Sequence, residues 1–113
     1  MKYKHEIKDS VCIIRFSGKI MGGPDFEKFH THVKELVAED HPAFLFNLEK
    51  VDWINSTGIG ILMSAYNSIK TAERRFALCG ANQRVSNVYY VLQLDKIFDT
   101  FDDCGEALAK LTE

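Results

Sequence analysis

Proline is scarce in this chain, and no long apolar run occurs. Two prolines in 113 residues, with 46% hydrophobic and 27% charged content, exclude a proline-rich linker or a disordered tail and leave an ordinary globular composition. No stretch approaches the ~18 apolar residues needed to span a bilayer. The opening MKYKHEIKDS lacks the apolar centre of a secretory signal. A cytoplasmic protein with no membrane partner is expected. Concentrated positive charge is missing too: 14 Lys and Arg stand against 16 Asp and Glu, for a net charge of -2, and they are scattered along the chain. Direct nucleic-acid binding therefore lacks its electrostatic footprint. Cys12, Cys79 and Cys104 are odd in number, far apart and free of CxxC spacing, which argues against a zinc site and against the disulfide framework of a secreted protein. Cys12 and Cys79 are expected to lie buried in strands, and Cys104, near a helix start, is assigned no role.

What remains is a chain of one-domain size, with residues 1–113 able to bury about two-thirds of their unfolded surface. Tyr3 to Lys8 and Val11 to Ser17 read as a hairpin turned by Asp9-Ser10, with Gly18 closing the second strand. Pro24 suits the first position of a helix over residues 24–39, whose inner face carries Phe26, Phe29, Val33, Leu36 and Val37. His30 and His32 lie two apart on that helix, point to different sides, cannot pair on a metal as in HExxH, and are expected in solvent. The run AFLFNL, Ala43 to Leu48, has the pattern of a central strand covered on both faces. Residues 49–58 then read as a loop, followed by a helix to about Ala72, a strand at Phe76 to Cys79, and a helix through Val85, Val88, Tyr89 and Leu92. A strand at Ile97 to Phe101 and a helix at Glu106 to Leu111 complete the order ββαβαβαβα. This predicts an α/β fold, a mixed sheet of about five strands with an antiparallel N-terminal hairpin and about four packed helices.

In such folds ligands and partners meet the loops beyond the strands' carboxyl ends, and here that loop leads into VDWINSTGIGIL, residues 51–62. Ser56 is placed to cap the second helix, which by itself implies no function. Gly58 and Gly60 ask for more, because glycine costs roughly 1 kcal/mol against alanine within a helix. They bare the helix N-terminus to another backbone or an anion. A dinucleotide loop is disfavoured, since Met63 stands where a third glycine would be and no GxxxxGK[ST] occurs. A nucleophilic Ser56 is disfavoured as well: Ile54 replaces the first glycine of GxSxG, and His5, His30, His32 and His41 fall elsewhere. The reading left is a surface hydroxyl that another protein's kinase modifies, adding about -1.5 to -2 charges where the helix dipole tolerates them.

The hairpin ending in FSGKI, the run FLFNLEKVDWINSTGIGIL, the turn FALCGAN and the tail RVSNVYYVLQLDKIFDTFDDCGEAL together resemble the STAS family, specifically the single-domain anti-sigma factor antagonists. The resemblance spans nearly the whole chain, most specifically at the family's Asp-Ser-Ser/Thr-Gly-Leu-Gly signature. It implies phosphorylation at Ser56, with Thr57, Gly58 and Gly60 on pattern. It also implies a partner that is an anti-sigma factor and serine kinase, captured only by the unphosphorylated form so that a sigma factor is freed, and a PP2C-type phosphatase that restores it. The protein would then be a regulator and substrate, not an enzyme. Independently of the resemblance, no metal or cofactor is expected, and a monomer is the default. Two departures stand out: Asn55 occupies the usual aspartate position, and Met21-Gly22-Gly23 is inserted before the first helix. Trp53, expected partly exposed in the loop, is placed with Asn55 on the docking surface. An alternative within the same fold is a sensor or scaffold that binds a nucleotide, an anion or a different signalling partner at this helix N-terminus.

Overall fold

Asp9 and Ser10 both adopt positive φ, 52° and 68°, and this two-residue turn, matched to the strands' right-handed twist, folds β1 (Lys2–Lys8) antiparallel onto β2 (Val11–Ile20). The computed structural model describes all residues, 1–113. After the hairpin come α1 (Asp25–Ala38), β3 (Ala43–Ile54), α2 (Ser56–Thr71), β4 (Arg75–Cys79), α3 (Gln83–Val91), a 3-10 turn at Leu94–Lys96, β5 (Thr100–Phe101) and α4 (Cys104–Leu111). The five strands lie in the spatial order β1-β2-β3-β4-β5, with every pairing after the hairpin parallel. This is the mixed sheet that the alternation of strand and helix patterns predicts.

The central run AFLFNL alternates between two cores. Phe44, Phe46 and Leu48 face α1, α2 and α3 and share a cluster with Phe29, Leu62, Ile69, Val85 and Tyr89. Ala43 and Leu45 face the other way, toward Ala107 and Leu111 of α4. Aromatic edges fix the larger core: Phe16 meets Phe46 at 5.2 Å and Phe46 meets Phe76 at 4.8 Å between ring centroids, both T-shaped. Such pairs contribute roughly 0.5–1.5 kcal/mol beyond their buried area.

Several boundaries differ from the sequence expectation. β2 does not close at Gly18, which takes φ +78 inside the strand. The strand continues through two register shifts, so that Lys19 and Ile20 pair with Trp53 and Ile54. By the same pairing β3 runs to Ile54, and residues 49–54 are strand rather than loop. The solvent-facing Glu49, Lys50 and Asp52 hide its continuation from a reading based on apolar runs. The expected strand at Ile97 to Phe101 shrinks to Thr100–Phe101. Leu94 and Phe98 are both buried at helical i, i+4 spacing, Phe98 lies 5.0 Å from the Tyr66 ring, and Ile97 is left 46% exposed. Leu92, expected on the inner face of α3, caps that helix and is half exposed.

Cys12 and Cys79 are buried in β2 and β4 as expected, but Cys79 is not free: it forms a disulfide with Cys104, 25 residues on. This corrects the expectation of three unpaired thiols. An odd count with wide spacing says nothing about which two residues the fold brings together, and here the end of β4 and the first turn of α4 are adjacent. Closing a loop of this length is worth roughly 3 kcal/mol on the chain-entropy account. The two histidines of α1 are not fully solvated either. His30 Nδ1 lies 3.1 Å from Ser64 Oγ of α2, and His32 Nδ1 lies 3.1 Å from the Tyr3 hydroxyl, with the His5 ring stacked edge-on at 4.9 Å.

Candidate functional site at the start of α2

One residue, Asn55, separates β3 from α2. Its backbone is extended (φ -107, ψ -178), and its side-chain oxygen accepts a hydrogen bond from the Gly58 N–H at 2.7 Å. The Ile59 N–H closes the first helical bond on the Asn55 carbonyl at 2.9 Å. Asn55, not Ser56, is therefore the N-cap. Because the strand runs as far as Ile54, the first residue outside it takes that place, and asparagine caps as well as serine or aspartate. The asparagine in the signature's aspartate position thus preserves the acceptor that the turn requires. Asn55→Ala is expected to lower stability by about 1 kcal/mol in denaturant unfolding. Asn55→Asp keeps the cap, adds a charge that the helix dipole favours, and should match or exceed the parent by a few tenths of a kcal/mol.

Ser56 becomes the first helical residue and is exposed, as is Thr57. Their N–H groups have no partner within the chain, so a hydroxyl and two free donors face outward at the positive end of the helix dipole.

The two glycines behind them serve different ends. A Cβ on Gly58 would sit 2.0 Å from the Ile20 carbonyl oxygen and 2.8 Å from Ile54 Cγ1, so the end of β2 lies directly against this turn of the helix. Gly60 is exposed, and a Cβ there would meet nothing within 4 Å. The insertion Met21-Gly22-Gly23 borders the same turn: a Cβ on Gly22 would fall 2.2 Å from Thr57 Cγ2, and Met21 is 41% exposed beside it.

Trp53 is the penultimate residue of β3, half-buried and paired with Lys19, while Ile54 is buried. The tryptophan sits on a rigid strand end rather than in the loop expected for it. Sequence reasoning misses Asn82. Its Nδ2 donates to the carbonyls of Val51 and Asp52 at 3.0 and 3.3 Å, while its Oδ1 caps α3 through the Val85 N–H at 2.8 Å. One side chain thus anchors the end of β3 to the start of α3, immediately before Trp53. The turn Gly80-Ala81-Asn82 after a buried strand is the signal that could have found it.

None of the four histidines hydrogen-bonds Ser56; His30 is engaged by Ser64, His32 by Tyr3 and His41 by Glu39. Burial, with Glu39 adding to it, pushes the Cys12 thiol up to about 11, so it stays protonated and inert near neutral pH. No group of three or more His, Cys, Asp or Glu side chains is arranged to hold a metal ion. No helix is long and apolar enough to cross a membrane.

The site can therefore present a hydroxyl, free backbone donors and an aromatic strand end to another molecule, and known proteins share the frame that does so. The TM1081 homolog of Thermotoga neapolitana, provisionally named an anti-sigma factor antagonist, is 29% identical over 77 residues, 68% of each chain. An anti-sigma factor antagonist from Mycobacterium paratuberculosis superimposes with a TM-score of 0.86 at 21% identity, covering 99% of this chain and 94% of its own. The anti-sigma factor antagonist SpoIIAA matches in its unphosphorylated form (TM-score 0.81, 15% identity, 97% and 96% coverage). The phosphorylated form, from Bacillus, matches with a TM-score of 0.75 at 14% identity, with 97% and 99% coverage. The STAS domain model matches residues 2–107, which takes in the hairpin, the whole parallel sheet and the Asn55-capped turn into α2: the chain belongs to the STAS domain family.

Proposed function

We propose that this protein is an anti-sigma factor antagonist. In the cytoplasm and as a monomer, its unphosphorylated form captures an anti-sigma factor that is also a serine kinase and so frees a sigma factor. Phosphorylation of Ser56 by that kinase breaks the complex, and a PP2C-type phosphatase resets it. The observation that carries this reading is the exposed Ser56 hydroxyl at the first position of α2, beside two unpartnered N–H groups. A phosphate there gains from the helix dipole and leaves the fold intact while reversing the local surface charge. The names of the relatives support the partner class, and SpoIIAA exists in both phosphorylation states.

The docking surface centres on Ser56 and Thr57, with Trp53 as the aromatic anchor and Asn55, Gly58 and Gly60 shaping the turn. Gly60 has no packing reason to be glycine, which supports close approach of a partner's backbone at that point. The chain is substrate and regulator rather than enzyme, and no base is in place to activate Ser56. Incubation with ATP and extract of the source cells, followed by intact mass and peptide mapping, should give a single phosphate on Ser56 that a Ser56→Ala variant lacks. A phosphate on another residue, or none, would contradict the proposal.

A further inference from the structure

We propose that the half of the sheet face left uncovered by α4 binds a compact, multiply charged oxyanion of the diphosphate class. The face follows from register: Lys2, Lys4, Glu6 and Lys8 of β1 pair with Ser17, Arg15, Ile13 and Val11 of β2, and Val11 and Ile13 belong to the core beneath α4. All eight therefore point to the α4 side. α4 packs on β3, β4 and β5 and leaves the β1 half open as a cavity of about 600 Å³. Lys2, Lys4, Arg15 and Lys50 line it, above a floor of Ser17, Asn47 and Glu49. A smaller cavity of about 170 Å³ shares Arg15, Asn47 and Glu49 and extends past Lys8 to the first turn of α4.

Charge selects the ligand. Five cations meet two carboxylates on these strands: Glu6 is paired with Arg15, whereas Glu49 is held by the neutral Asn47 amide and keeps its charge, which leaves an excess of positive charge. Glu6 accepts from Arg15 Nε at 3.0 Å, and Glu49 accepts from Asn47 Nδ2 at 3.0 Å. Lys2, Lys4, Lys8 and Lys50 take part in none of the chain's ion pairs. A chain of net charge -2 thus concentrates unneutralised positive charge in one concavity, which focuses the field on an anion. Asn47 is the one buried polar residue, 5% exposed, and makes the floor hydrophilic.

Composition argues against a protein occupant. The large exposed apolar side chains are Ile7, Met21, Tyr90, Val91, Leu92 and Ile97. Ile7 lies on the opposite face of β1, and none of the others lines the cavity, so the anchors of a protein interface are missing. The Tyr3 and Phe16 rings turn to the other side to pack on Phe29, which leaves no ring on which a nucleobase could stack. The volume falls within the range of small-ligand sites.

Isothermal titration of the full chain with inorganic pyrophosphate at low ionic strength tests this, with sulfate at matched ionic strength as comparison. Expected is saturable binding to pyrophosphate with Kd below about 1 mM. Lys4→Glu alone, and Lys4→Glu with Arg15→Glu, should weaken it at least about tenfold, whereas Lys70→Glu on α2 and Ser56→Asp should leave it unchanged. The Ser56→Asp arm separates this site from the one at α2. Equal heats from sulfate and pyrophosphate, no saturable binding, or equal losses in Lys4→Glu and Lys70→Glu would each overturn the proposal. So would co-sedimentation with phosphatidylglycerol vesicles without binding of free pyrophosphate, which would assign the charge to a lipid surface.

Discussion

Ser56→Asp is expected to reduce capture of the partner kinase by at least about tenfold, or 1.4 kcal/mol, while Ser56→Ala stays close to the parent. The asymmetry follows from the site. Ser56 makes no side-chain hydrogen bond within the chain and does not cap the helix, so removing its hydroxyl costs the fold nothing specific. Aspartate adds a charge at the first helical position, where the dipole stabilises it within the free protein. In a complex that covers the turn, the same charge has to be desolvated against the partner. Stability and binding should therefore part company: Ser56→Asp melts at or slightly above the parent temperature and binds poorly. A loss of binding accompanied by a fall in melting temperature would point to damage to the fold instead.

Gly58→Ala and Gly60→Ala, two residues apart, should move stability in opposite directions. At Gly58 the added methyl meets a backbone carbonyl, Ile20 O at 2.0 Å, and backbone on a central strand has little room to yield. Overpacking of this kind costs about 1–3 kcal/mol and occasionally more, against roughly 1 kcal/mol of improved helix propensity. A net loss of up to about 2 kcal/mol is expected, a fall of up to roughly 10 °C in melting temperature for a domain of this size. At Gly60 the space is open and the propensity term acts alone, raising stability by up to ~1 kcal/mol. Thermal unfolding of the two variants under one set of conditions checks both signs. If partner affinity falls in Gly60→Ala while its stability rises, that glycine serves the interface.

How far the chain itself announced these features differs from element to element. Phe29, Val33 and Leu36, or Phe44, Phe46 and Leu48, carry their period in plain sight because one face of each element is apolar, whereas the almost wholly exposed β1 is legible from its β-prone residues and the turn at Asp9-Ser10, and β5 keeps only two residues of the strand its apolar run suggests. Edges were harder to read. Lys19 and Ile20 continue β2 only because Trp53 and Ile54 offer them a partner, and pairing between distant segments leaves no local mark. The same holds for Cys79 with Cys104, and for Asn82, whose role depends on two carbonyls 31 and 30 residues upstream. At the site, Ser56 and the glycines were visible as an anomaly in a helix. That Asn55 is the cap, and that Gly58 answers to Ile20 while Gly60 answers to nothing within the chain, depends on where the strand ends, which composition does not encode.

The measurement that bears most directly on the switch is the affinity of one purified anti-sigma-factor kinase for two preparations of this chain. One would be unmodified and the other stoichiometrically phosphorylated at Ser56, with matched circular dichroism spectra to show that both are folded. Tight binding of the first and at least tenfold weaker binding of the second, restored by phosphatase treatment, is the predicted result. Equal affinity of the two forms would contradict it.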